Sequence, residues 1–155
     1  MLSAPSPAFS DDEGNLAEEL RTVGAFKKVA LAVLGTAMQT YGEKLTDQQE
    51  VLSYAADILI DVYSSESAVL RAQGVIASQA TGAPLHTAAA RIIVNDAAQR
   101  VESAARNALA AMAEGDTLRT LLAALRRILK VTPINTVALR RDLAALVTGK
   151  GGYIL

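Results

Sequence analysis

Thr46 to Gln73 reads TDQQEVLSYAADILIDVYSSESAVLRAQ, and this stretch decides the fold. Val51, Ala55, Ile58, Val62 and Val69 recur at three-and-four spacing, which aligns them along one face of an α-helix. Leu52, Leu59, Tyr63 and Leu70 form a second apolar row beside the first. Ser53, Asp57, Asp61 and Ser64 fall on the remaining face. A helix with so wide an apolar stripe is expected to touch more than one neighbour. Thr46 followed three residues later by Gln49 has the form of a capping box, predicting a start at Thr46 and an end near Gln73.

Outward from this helix, the same periodicity repeats. From about Asn15 to Lys44, Val23, Phe26, Ala30, Val33, Ala37 and Tyr41 make a first long helix. Asp11, Asp12 and Glu13 lie just ahead of it, where acids favour the positive end of a helix dipole. Gly74 to Pro84 reads as a break, with Thr81-Gly82-Ala83-Pro84 as loop chemistry. A third long helix runs from Pro84 to Glu114, its stripe of Ala90, Val94, Ala97, Val101, Ala104, Ala108 and Ala111 close to a heptad seam of small residues. Gly115 ends it and Asp116 is expected to cap a fourth helix, Thr117 to about Val131, with Leu118, Leu121, Leu122, Leu125, Ile128 and Leu129 inward. After Pro133, Asn135 caps a short fifth helix to Thr148, ending at Gly149. No period-two alternation is sustained, so the fold class is all-α: an antiparallel helical bundle of three long and two shorter helices. Residues 1–13 form a flexible arm and residues 14–155 the bundle.

The composition suits that fold. Of 155 residues, 51% are hydrophobic and only 4% aromatic, so the core must be aliphatic. Ala and Leu, which dominate it, are among the strongest helix formers. There is no Cys, which excludes disulfides and thiolate metal sites and fits a reducing cytoplasm. No apolar run reaches the length of a membrane span, and the N-terminus lacks the regions of a secretory signal. The net charge of −1 conceals an asymmetry: residues 1–66 carry eleven acids and four bases, residues 118–155 one acid and seven bases. The two ends are expected to attract one another within the fold or in a dimer, ahead of any anionic partner.

Catalytic constellations are not evident. The one histidine, His86, has Ala83 three residues before it, so no Glu-x-x-His pair of a di-iron bundle exists, and no nucleophile accompanies it. Asp57 and Asp61, four residues apart, share a helical face, and Glu66 follows; a solvated face or salt bridges account for them. No phosphate-cradling glycine loop follows a strand. The candidate functional face is instead Arg119, Arg126, Arg127 and Lys130, outward on the fourth helix beside its leucine stripe. This face suits a partner or the surface of an anionic membrane. Helices four and five also mimic a helix-turn-helix, with Arg140 and Arg141 as phosphate contacts. The acidic remainder of the chain argues against nucleic acid as a partner.

Several segments carry a resemblance. These are Val23-Gly24-Ala25-Phe26-Lys27-Lys28-Val29-Ala30, Tyr41 through Leu52, Ala55-Ala56-Asp57-Ile58-Leu59-Ile60-Asp61-Val62-Tyr63, Glu66 through Ala72, Asn135 through Arg141, and the closing Gly151-Gly152-Tyr153. In order and spacing they resemble the C-terminal helical extension of acyl-CoA dehydrogenases of the very-long-chain type and their bacterial relatives. The resemblance spans nearly all of residues 15–155. It implies a parent flavoenzyme of fatty-acid β-oxidation that oxidises acyl-CoA to the trans-2-enoyl form with FAD as electron acceptor. In that family the flavin-binding residues and catalytic glutamate lie in the preceding core. No position here matches them, so this chain is expected to hold no catalytic, cofactor or metal residue of its own. The resemblance further implies a fragment ending at the natural C-terminus. It would pack on the dehydrogenase core and favour a homodimer, with a peripheral membrane or assembly-partner contact. The location it implies is cytoplasmic, at most membrane-peripheral.

Overall fold

The structure is a computed structural model and describes residues 16–152. The expected arm, the acids at 11–13 and the final Tyr153-Ile154-Leu155 lie outside the described residues. Within them the chain forms α1 (Ala17–Tyr41), a 3-10 turn (Gly42–Asp47), α2 (Gln49–Ala77), α3 (Ala83–Met112), α4 (Gly115–Ile128) and α5 (Thr136–Lys150). The fold is all-α, as the periodicity requires, and among the described residues there is no strand.

Two contacts fix the direction of the long helices. Glu19 meets Arg91 at 3.4 Å near one end, and the Tyr41 hydroxyl donates to the Ala111 carbonyl at 3.3 Å at the other. Thus α1 and α3 run the same way, and α2 returns between them. Phe26, Val29 and Val33 of α1, Ile58 and Val69 of α2, and Ala97, Val101 and Ala105 of α3 are buried where the three meet. The alanines of α3 let the backbones approach closely, which a low-aromatic core requires. In α4, Leu125 is buried, and Leu118, Leu121, Leu122, Ile128 and Leu129 pack against the same core. This helix lies over α1 and α3, while α5 rests mainly on α3 and buries no residue.

Several local expectations are corrected. No capping box forms at Thr46. Gly42, at φ 53°, ends α1 three residues before Lys44, and the chain enters the 3-10 turn at once. Thr46 is therefore already inside a turn and cannot adopt the extended backbone of an N-cap. The Gln49 amide instead donates to the Thr46 carbonyl at 2.7 Å, and α2 starts at Gln49 without a side-chain cap. The helix also continues through Gly74 to Ala77, because Ile76 still packs on the core and secures the last turn. Asp116 lies inside α4, where its carboxylate pairs with Arg119 at 2.9 Å; it caps nothing. At Asn135 the expected cap is present, Oδ1 accepting from the Ala138 N–H at 3.1 Å. Its helix stops at Gly151, whose φ of 66° suits glycine, and not at Gly149. The α3 seam follows a true helical period, so Ala105 is buried and Ala111 is exposed.

Candidate functional site

Asp57, Asp61 and Glu66, the three α2 carboxylates singled out in the sequence, each have a different setting. Asp61 belongs to the buried side: it is 8% exposed, and Arg100 of α3 grips it through Nε at 3.1 Å and Nη2 at 2.6 Å. Such a two-pronged bond fixes both position and orientation. The hydrogen bonds that Arg100 donates to Asp61 raise its pKa above the ordinary value, against partial desolvation. The sequence reading placed Asp61 on the open face; the structure turns it to α3. Glu66 pairs with Lys27 of α1 at 2.6 Å. Asp57 joins Tyr54, Ile60, Asp61, Arg100, Ser103, Ala104 and Asn107 in lining a groove of about 480 Å³ between α2 and α3. The three acids thus do not converge on a common point. Among the described residues, no group of three or more His, Cys, Asp or Glu could hold a metal ion.

The four residues expected on the basic face are all exposed, but they do not act as one cluster. Arg119 sits near the start of α4, tied to Asp116. Arg127 and Lys130 lie two turns further on, and with Arg21 and Lys28 of α1 they line a groove of about 580 Å³ floored by Gly24, Ala25, Ile128 and Val131. Glu18 is its one acid, and it is ion-paired with Arg21. Arg126 is exposed on the adjoining face. The sequence reading missed Arg21 and Lys28, although their seven-residue spacing places them on one face of α1. Arg140 pairs with Asp96 of α3, so this half of the helix-turn-helix dyad is engaged internally. His86, half-buried in the first turn of α3, lies against Gly82.

Neither groove fits a flavin nucleotide. Every residue lining the α2–α3 groove is inside a helix, so its backbone N–H is already in the helical ladder. A diphosphate is usually held by free N–H groups at a helix N-terminus. The first turn of α1, which borders the other groove, carries Glu18 and Glu19, and two acids there oppose an anion. No helix of the described residues is long and apolar enough to cross a membrane.

Comparison with known proteins places the bundle in a family. Residues 25–127 match the profile of the family described as "Acyl-CoA dehydrogenase, C-terminal domain". A "Probable acyl-CoA dehydrogenase" of Bacillus subtilis (strain 168) is 42% identical over 133 residues, covering 85% of this chain and 22% of that protein. The crystal structure of an acyl-CoA dehydrogenase complexed with FAD, from Bacillus anthracis, superposes with a TM-score of 0.87 at 32% identity. It covers 98% of this chain and 27% of the other. The chain therefore spans about a quarter of the length of these relatives. The profile takes in the bundle from early α1 to the end of α4, two thirds of the sequence; on that match the chain belongs to the acyl-CoA dehydrogenase C-terminal domain family.

Proposed function

We propose that this chain is a non-catalytic helical module of an FAD-dependent acyl-CoA dehydrogenase of fatty-acid oxidation. It works by packing on the dehydrogenase core and by supporting assembly of a homodimer. One observation carries the reading: the chain aligns over 85% of its own length with only 22% of a dehydrogenase. In this reading FAD and the acyl-CoA substrate belong to the remaining three quarters, and residues 16–152 supply shape and contact surface. The coding sequence upstream of Met1 tests it. An in-frame dehydrogenase core is the expected result; a stop codon with no core encoded nearby would sink the proposal.

A second reading concerns the basic face, Arg119, Arg126, Arg127 and Lys130, together with Arg21 and Lys28. The leucines of α4 are committed to the core, so they cannot insert into lipid. Contact with an anionic surface would rest on charge alone and be screened by salt. Flotation with anionic liposomes is expected to recover the protein at low ionic strength and release it near 0.5 M salt, where the Debye length is only about 4 Å. Recovery in the soluble fraction at low salt would end this reading.

A further inference from the structure

Two apolar rows that face no neighbour lie side by side on the outer surface of α1 and α2. On α1, Leu20, Lys27, Leu31 and Met38 are spaced seven, four and seven residues apart, one face of the helix. On α2, Leu59, Tyr63, Glu66 and Leu70 are spaced four, three and four apart, again one face. The Lys27–Glu66 ion pair belongs to both rows, so it joins them into a continuous strip. Leu31 is 71% exposed, Met38 64% and Tyr63 76%. Leu20 to Met38 spans roughly 27 Å of helix, and packed helices lie roughly 10 Å apart, so the strip is on the order of 300 Å². That is the size of the largest apolar patch on a typical monomer, and such patches are often functional.

We infer that this α1–α2 strip is the surface on which the bundle docks against the dehydrogenase core of its own polypeptide. The inference rests on the module reading above and adds the face that makes the contact. Elsewhere α4 lies over α1 and α3 and α5 lies on α3, while the open α2–α3 side carries the polar groove of Asp57, Asp61 and Arg100. Among the described residues nothing covers the side shared by α1 and α2. This chain matches only 22% and 27% of those relatives, and the remainder of such a polypeptide supplies a covering body on the same chain. The strip holds one cation and one anion, already paired with each other. An apolar protein surface can therefore cover it without stranding a charge, whereas a strongly charged ligand finds no complement there.

Absence of cysteine from this chain allows a direct test. In the full-length polypeptide, Tyr63→Cys and, separately, Met38→Cys are compared with Arg126→Cys by maleimide labelling, read peptide by peptide in a mass spectrometer. Positions 63 and 38 are expected to react at least tenfold more slowly than position 126. Labelling at the rate of position 126 would overturn the inference, because the strip would then be open to solvent. A disulfide formed between copies at position 63 under mild oxidation would also overturn it, in favour of a second copy as occupant. Either failure leaves the module reading standing; that reading fails separately, if no core is encoded with the chain. Both substitutions are at exposed positions, and circular dichroism verifies that the bundle is intact in each.

Discussion

Ser65 is fully buried in α2, and its hydroxyl has no hydrogen-bond partner among the described residues. A buried hydroxyl left unpaired costs free energy, so Ser65→Ala should stabilise the bundle by about 1 kcal/mol, seen as a higher urea midpoint. A lower midpoint would mean that the hydroxyl has a partner, such as a bound water. The converse case is Arg100. Its removal leaves Asp61 nearly buried without its cation, so Arg100→Ala should cost about 2 kcal/mol; part-exposure of the guanidinium keeps the figure below that of a fully buried pair. Because Asp61 raises the Arg100 pKa, the cation's contribution is complete below its ordinary pKa. It would fade only in strong alkali, so the loss caused by Arg100→Ala should be the same at pH 6 and pH 9. At this scale the sequence was least legible. Asp61 follows the helical spacing of Asp57, yet a rotation of about 40° separates a residue four positions on. That difference turns Asp61 onto Arg100 of α3 and leaves Asp57 exposed in the same groove. Nothing local announces Arg100, 39 residues away, as the partner.

Among the elements, α3 shows most directly what composition demands. Ala97, Val101, Ala105 and Ala108 are wholly buried against α1 and α2, so the helices meet almost backbone to backbone. Ala97→Leu should force them apart and cost about 1–3 kcal/mol; thermal unfolding monitored by circular dichroism would register it. An unchanged midpoint would show a void beside Ala97 that the packing does not suggest. Periodicity was enough to find the first four helices, because each packs an aliphatic stripe at helical spacing; α5, which buries no residue, was legible from its Asn135 cap instead. Ends were harder: Thr46 and Asp116 have the right residue type for caps, but their backbones are committed to a turn and a helix before the side chain can act. Asn135 succeeds because Pro133 and the extended linker before it leave its backbone outside the helix.

For the whole molecule, the outer row Leu59, Tyr63 and Leu70 was expected to meet a neighbour and does not meet one within the described residues. The 155-residue chain taken alone therefore bares the α1–α2 strip, and it should self-associate. Light scattering should show a mass rising with concentration from 16.2 kDa toward twice that value, with Tyr63→Lys restoring the monomer; a constant 16.2 kDa would contradict the expectation. Fold and family were legible in the sequence, since both reside in the order of apolar stripes and short motifs. The composition of the basic groove was not, because Arg21 and Lys28 reach Arg127 and Lys130 only once α4 has folded back on α1.

Under the proposed function the bundle holds no chemistry of its own. Titrating the purified chain with FAD, and assaying it with acyl-CoA and an artificial electron acceptor, tests this most directly. No flavin retained after gel filtration and no turnover are the expected results; stoichiometric flavin with oxidation of the thioester would place chemistry in the bundle itself.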